Sequence, residues 1–203
     1  MVLPRFYPIL DTEVALRRGI DPVKAAHEIL DTGVGILQFR HKGFLSREAF
    51  AWLEQIAKLT RAAGATLVVN DRADLAHLFG AWLHLGQDDL LPSIARRVIG
   101  PDTTVGYSTH NEAQLRAAWA EPADYLALGP VFGTATKENP DPTVGVDELR
   151  RLRHLSNRPL VATTKDTFPC SPEIWLPAGS HFLRPAAGAQ TRTKFFLGGL
   201  RDT

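Results

Sequence analysis

The sequence is short of several things. It has a single cysteine, Cys170, and a single methionine, Met1. One thiol excludes an intramolecular disulfide framework and a multi-cysteine zinc site, and it points to a reduced, cytoplasmic setting. Charge of one sign is also missing. The 203 residues carry 23 Lys+Arg against 22 Asp+Glu, a formal net charge of +1. Such a chain has no global field to draw it onto nucleic acid or an anionic membrane. No apolar run approaches the roughly 20 residues that a membrane-spanning helix requires. The opening residues, Met1 to Phe6, lack the basic and then apolar pattern of a secretory signal. Neither nucleic acid nor membrane is therefore an expected partner.

What remains is an ordinary globular composition, 44% hydrophobic and 22% charged, with enough chain to bury a real core. Short apolar runs alternate with helical patterns. The strand candidates are 6–10, 35–39, 66–70, 82–85, 104–108, 125–129, 159–162 and 181–184. Between them lie segments with helical spacing and end signals. Asp21-Pro22 caps a stripe of Val23, Ala26, Ile29 and Leu30 that stops at Gly33. Phe50, Leu53, Ile56 and Ala57 form a second stripe, and Ile94, Val98 and Ile99 a third. Leu115, Ala118 and Trp119 follow Asn111, and Val146, Leu149, Leu152 and Leu155 form the last.

Eight alternations of strand and helix predict a parallel sheet, and eight units favour one closed (β/α)8 TIM barrel over an open doubly wound sheet. No linker divides the chain, so residues 1–203 read as one domain. The stretch from Pro130 to Gly145 is long for a connection within a compact domain, and such loops are usually functional. In a barrel it lies at the C-terminal mouth, where active sites are built.

Polar residues gather at successive strand ends. Gln38, Arg40 and Lys42 alternate, which puts them on one face of an extended chain, as an anion clamp would require. Asn70-Asp71 follows an apolar run, and Asp88-Asp89 follows the next one. Carboxylates from neighbouring strands can hold a Mg²⁺ that retains water and takes phosphate oxygens, although Asp also caps helices. Ser108 ends the fifth strand. Thr134, Thr136 and Lys137 lie in the long loop and suit closure over a phosphate ester. His84 and His110 lack a third ligand at zinc-like spacing and read as structural. No nucleophile–base pair is evident. The combination suggests metal-assisted departure of pyrophosphate, with electrostatic stabilisation of the leaving group as the main effect.

These residues stand in the motifs Gln38-Phe39-Arg40-His41-Lys42, Val69-Asn70-Asp71-Arg72, His84-Leu85-Gly86-Gln87-Asp88-Asp89-Leu90, Gly106-Tyr107-Ser108-Thr109-His110 and Gly129-Pro130-Val131-Phe132 running on to Lys137. From about residue 6 to residue 162, their order and spacing resemble the thiamine-phosphate synthase/TenI family. The resemblance implies a TIM barrel. It also implies a transferase that condenses 4-amino-5-hydroxymethyl-2-methylpyrimidine diphosphate with a thiazole phosphate, releasing pyrophosphate. By the same resemblance, Gln38, Arg40, Lys42 and Asn70 bind the pyrimidine diphosphate, and Asp71 and Asp89 hold Mg²⁺. Ser108 and Lys137 bind the departing pyrophosphate, and Thr134 and Thr136 the thiazole phosphate side. Members of such families often self-associate, so a homo-oligomer is open.

The resemblance weakens from about residue 163 to residue 203. The family's Gly-Gly turn after the seventh strand is replaced by Thr163-Thr164-Lys165-Asp166, and its Ile-Ser pair by residues near Arg184-Pro185. Three readings are open: phosphate binding by side chains instead of backbone, a different thiazole substrate, or loss of efficient synthase activity. Two alternatives to the synthase follow. A TenI-like thiazole tautomerase carries His where this chain has Pro130, which argues against it. A non-catalytic protein that retains the pyrimidine diphosphate half-site is supported by the altered tail.

Overall fold

The computed structural model describes residues 3–132 and 143–164, together with the backbone of 192–196. Seven strands lie parallel and in chain order. They are β1 (Phe6–Asp11), β2 (Ile36–Arg40), β3 (Thr66–Asn70), β4 (Trp82–Leu85), β5 (Val105–Thr109), β6 (Tyr125–Leu128) and β7 (Leu160–Thr164). An eighth, β8 (Arg192–Phe196), joins the ring between β7 and β1 and runs antiparallel to both.

Of the expected closed (β/α)8 TIM barrel, the α/β class and seven parallel strands are present, and the strand that completes the ring departs from it by running antiparallel. The expected eighth strand, 181–184, lies outside the described residues. A parallel strand needs a crossover from one end of the sheet to the other, whereas an antiparallel one enters from the end where its predecessor left off.

Outer helices are α1 (Thr12–Arg17), α2 (Pro22–Leu30), α3 (Arg47–Ala62), α4 (Ala73–Phe79), α5 (Pro92–Ile99), α6 (Glu112–Ala117) and α7 (Val146–Arg153). Their starts follow the caps in the sequence. Asp21 accepts from Lys24 N–H at 2.8 Å, Ser46 from Ala49 N–H at 3.1 Å, and Asn111 from Gln114 N–H at 2.9 Å. Each such cap is worth about 1 kcal/mol. At the far end of α4, Gly80 takes a left-handed φ of 60°, which a side chain would resist.

The buried face of α5 differs from the expected stripe of Ile94, Val98 and Ile99. On α5 the buried residues are Pro92, Ala95 and Ile99, while Ile94 and Val98 are exposed. Small Ala95 lets the helix approach the sheet, and the larger apolar residues lie on the outer face. Of the stripe Leu115, Ala118 and Trp119, the first two are buried and Trp119 is exposed, in a 3₁₀ turn after α6.

Two packed layers result. Leu37, Phe39, Leu67, Val69, Leu83 and Leu85 face the helices. The alternate residues Tyr7, Ile36, Val68, Tyr125, Ala127 and Val161 fill the barrel interior. Strand alternation produces both faces from one sequence. The interior contains few large apolar side chains near the C-terminal strand ends, and polar ones take their place there. At mid-height Gly106 makes the room: a Cβ on it would collide with the Tyr125 ring and His84 Nδ1.

Candidate active site

The polar residues converge at the C-terminal ends of β2 to β5. Gln38 and Asn70 point into the barrel from β2 and β3, and both are buried. Gln38 Nε2 donates to the Tyr7 hydroxyl at 3.0 Å. Among the described residues two polar side-chain atoms are buried and without a hydrogen-bond partner: the acceptor Gln38 Oε1 and the donor Asn70 Nδ2. Each such orphan costs about 1–3 kcal/mol unless something else satisfies it. A protein retains that cost where a ligand supplies the partner.

Arg40 ends β2 and forms an ion pair with Asp11, which ends β1. The anion clamp suggested by the alternation is therefore already engaged with a carboxylate on one side. Lys42 lies beyond the strand and is exposed. Its ammonium pairs with Asp71 and stands 3.6 Å from Asp89 Oδ1. The structure thus brings Lys42, Asp71 and Asp89 together, while Arg40 is held apart by its own partner.

Asp71 follows β3 with φ 66°, the one non-glycine residue among the described residues in the left-handed region. Aspartate tolerates that conformation better than most residues. Its N–H donates to His84 C=O at 2.8 Å, which ties the turn to β4. Asp89 Oδ2 accepts from Gly86 N–H at 2.7 Å, so its carboxylate folds back on the end of β4.

Burial, and then hydrogen bonding to Asp89, raise the Asp71 carboxyl to about 6 against the opposing pull of Lys42. Burial would raise Asp89 too. The hydrogen bonds from Asp71 and Gly86 N–H, with the Lys42 charge, overcome it and hold Asp89 below its ordinary value. One carboxyl of the pair holds its proton at mildly acid pH and the other does not.

Ser108 ends the row on β5. Its Oγ lies 2.9 Å from His84 Nε2, and its C=O accepts from Gln87 Nε2 at 2.6 Å. Beside Lys42, Asn70 and Asp71 is a cavity of about 150 Å³ whose other walls mix apolar Phe39, Leu45 and Leu75 with His41 and Arg72. Thr134, Thr136 and Lys137 lie outside the described residues, as do Lys165 and Arg184.

His110 Nδ1 donates to the Gly129 carbonyl and supports the next strand end. Gly129 is itself required, because a Cβ there would strike the Thr163 carbonyl oxygen. Tyr7, Asp11 and Tyr125 are additions to the sequence reading. A Tyr in a strand is normally read as core, and nothing in its spacing distinguishes a hydroxyl that turns inward to a glutamine. Asp11 reads as a helix cap, and it is one: it accepts from Val14 N–H at 3.1 Å. Its second role needs the β1–β2 register.

A family profile described as "Thiamine monophosphate synthase" matches residues 6–164. The chain belongs to the thiamine monophosphate synthase family. Among relatives, a thiamine-phosphate synthase of Koribacter versatilis is 45% identical over 166 residues, 79% of this chain and 77% of that protein. One from Chlorobium phaeovibrioides is 41% identical over 144 residues, 70% of this chain and 69% of that protein. In structure, the chain resembles the thiamine phosphate pyrophosphorylase from Pyrococcus furiosus, with a TM-score of 0.65 at 28% identity. That similarity covers 76% of this chain and 71% of the other. The family match spans β1 to β7 and stops at residue 164, where the sequence departs from the thiamine monophosphate synthase pattern.

Proposed function

We propose that this chain is a thiamine-phosphate synthase. It would join 4-amino-5-hydroxymethyl-2-methylpyrimidine diphosphate to a thiazole phosphate and release pyrophosphate. The observation that carries the reading is the pair of unsatisfied interior atoms. Gln38 Oε1 is an acceptor and Asn70 Nδ2 a donor. An aminopyrimidine edge offers the complement, an exocyclic N–H and a ring nitrogen.

The diphosphate would extend toward the strand ends, where Arg40, Lys42 and Ser108 stand. Asp71 and Asp89 are oxygen donors from neighbouring strand ends that share one ammonium, and this donor set fits Mg²⁺. Among the described residues no group of three or more His, Cys, Asp or Glu side chains forms a metal cluster, so an ion here rests on two carboxylates. That suits a hard cation that keeps waters and takes phosphate oxygens. When bound, Mg²⁺ would neutralise charge on the diphosphate.

The chain's own part is to orient and to stabilise charge. Gln38 and Asn70 would fix the ring, and Arg40, Lys42 and Ser108 would hold the leaving group. Pyrophosphate departs with the bonding electrons, and the ring amino group stabilises the resulting methyl cation. The thiazole nitrogen then supplies the new bond. This route needs no protein nucleophile. Thr134, Thr136 and Lys137 complete the proposal on the thiazole and pyrophosphate sides, and residues 1–203 act as one domain.

Titration of the protein with pyrimidine diphosphate and Mg²⁺ tests the site. Asn70→Leu is expected to weaken binding at least about tenfold by removing a buried donor to the ring. Equal affinity for both proteins would remove the ring assignment. A second reading is favoured by the end of the family match at residue 164: the front half binds pyrimidine diphosphate without turning it over. Binding without pyrophosphate release would select it.

A further inference from the structure

Five side chains inside the barrel form one unbroken hydrogen-bonded chain. Gln38 Nε2 donates to the Tyr7 hydroxyl at 3.0 Å. The Tyr7 and Tyr125 hydroxyls are 2.9 Å apart. The Tyr125 hydroxyl lies 3.2 Å from His84 Nδ1, and His84 Nε2 lies 2.9 Å from Ser108 Oγ. Gln38, Tyr7, Tyr125 and His84 are all buried. The two ends of the chain belong to the candidate site, and its three middle members do not.

Each hydroxyl carries one hydrogen, and so does a neutral imidazole. With the Tyr7 oxygen accepting from Gln38, one consistent order has the Tyr7 hydroxyl donate to Tyr125. The Tyr125 hydrogen then goes to His84 Nδ1. In this order His84 carries its hydrogen on Nε2 and gives it to Ser108 Oγ. The Ser108 hydrogen is then left for the mouth of the barrel. At the other end, Gln38 Oε1 remains an acceptor without a partner among the described residues. Burial raises both tyrosines above their ordinary value, so both hydroxyls keep their protons across the neutral range.

The opposite order is the alternative. Ser108 would give its hydrogen to His84, and Gln38 would turn its amide to accept from Tyr7. The site would then show an N–H to the ring and no hydroxyl hydrogen to the anion.

We propose that Tyr7, Tyr125 and His84 are positioning residues that lock the first order. Gln38 is thereby held as an acceptor for the exocyclic amino group, while Ser108 is held as a hydrogen donor to a phosphate oxygen. The inference rests on the pyrimidine diphosphate reading of the site. It makes two separate contacts into one specification: a ligand with an amino group at one end and an anion at the other. A 4-oxo pyrimidine diphosphate would place oxygen against oxygen at Gln38 and be rejected, because reversing one end requires reversing the whole chain.

Two measurements on the full chain decide it. Long-range ¹H–¹⁵N spectra of histidine-labelled protein, with His84 assigned through His84→Asn, are expected to show the Nε2–H tautomer in the unsubstituted protein. An Nδ1–H tautomer overturns the proposal, whatever happens to any variant. The second is competition between the 4-amino and 4-oxo pyrimidine diphosphates. Tyr125→Phe keeps the ring and cuts the chain, so the preference for the amino compound is expected to fall about tenfold or more. An unchanged preference in a folded Tyr125→Phe protein overturns the proposal. If the unsubstituted protein binds neither compound, the pyrimidine diphosphate reading fails, and with it the ligand half of this inference; the tautomer still decides the hydrogen order.

Discussion

Arg40 and Asp11 are register partners at the ends of two adjacent parallel strands, and their side chains form an ion pair. The Asp11 side chain is 4% exposed, so the carboxylate is largely removed from water. It also caps α1. Asp11→Ala loses both roles and leaves a guanidinium poorly compensated. We expect a loss of about 2–4 kcal/mol in urea unfolding. Asp11→Asn keeps a capping oxygen and loses only the charge, so it is expected to cost less than Asp11→Ala. Equal losses for the two variants would show that the ion pair contributes everything and the cap nothing.

The Asp71–Asp89 pair predicts a pH dependence. The Asp71 carboxyl is raised to about 6 in the fold, against an ordinary value of 3.8. Between these values the folded chain holds a proton that the unfolded chain has released. This group therefore favours folding at low pH, and the contribution is lost as pH rises through about 6. A divalent cation competes with the same proton. Mg²⁺-dependent diphosphate binding should strengthen up to about tenfold per pH unit below pH 6 and level off above it. Calorimetry from pH 5 to 8 checks this. Asp71→Asn should flatten the profile and weaken binding throughout, and a profile that persists in the variant would move the titration elsewhere.

Gly106 predicts a steric limit. It faces Tyr125 and His84, and a methyl group there has no space without moving them. Gly106→Ala is expected to lower stability by about 1–3 kcal/mol, the usual cost of an overpacked core. It should also reduce pyrimidine diphosphate affinity, because both displaced residues lead to Gln38 and Ser108. Thermal unfolding and binding titration together check this, and a variant with unaltered stability and affinity would contradict the packing described.

Much of the fold could be read from patterns that depend only on nearby residues. The runs at 66–70 and 82–85 are strands over those same residues, because apolar and β-branched side chains suit a strand buried on both sides. Asp21-Pro22 opened a helix for a local reason, and Asn70, Asp71 and Ser108 lie at strand ends where the alternation put them. The parts that escaped were non-local. Ile94 and Val98 look like a buried stripe, yet which face of α5 packs depends on how closely Ala95 approaches the sheet. The partner of Arg40 depends on strand register, and the inward hydroxyls of Tyr7 and Tyr125 depend on which strands face each other across the barrel. The direction of β8 shows only in its pairing with β7 and β1, and Arg192–Phe196 is not among the strand candidates read from the sequence.

Pyrophosphate release tests the central claim most directly. The purified full chain is given pyrimidine diphosphate, thiazole phosphate and Mg²⁺, and each is then omitted in turn. The account predicts release that requires all three, with thiamine phosphate formed in equal amount. No release, from a protein that still binds pyrimidine diphosphate with Mg²⁺, would contradict it and leave a binding protein built on a synthase barrel.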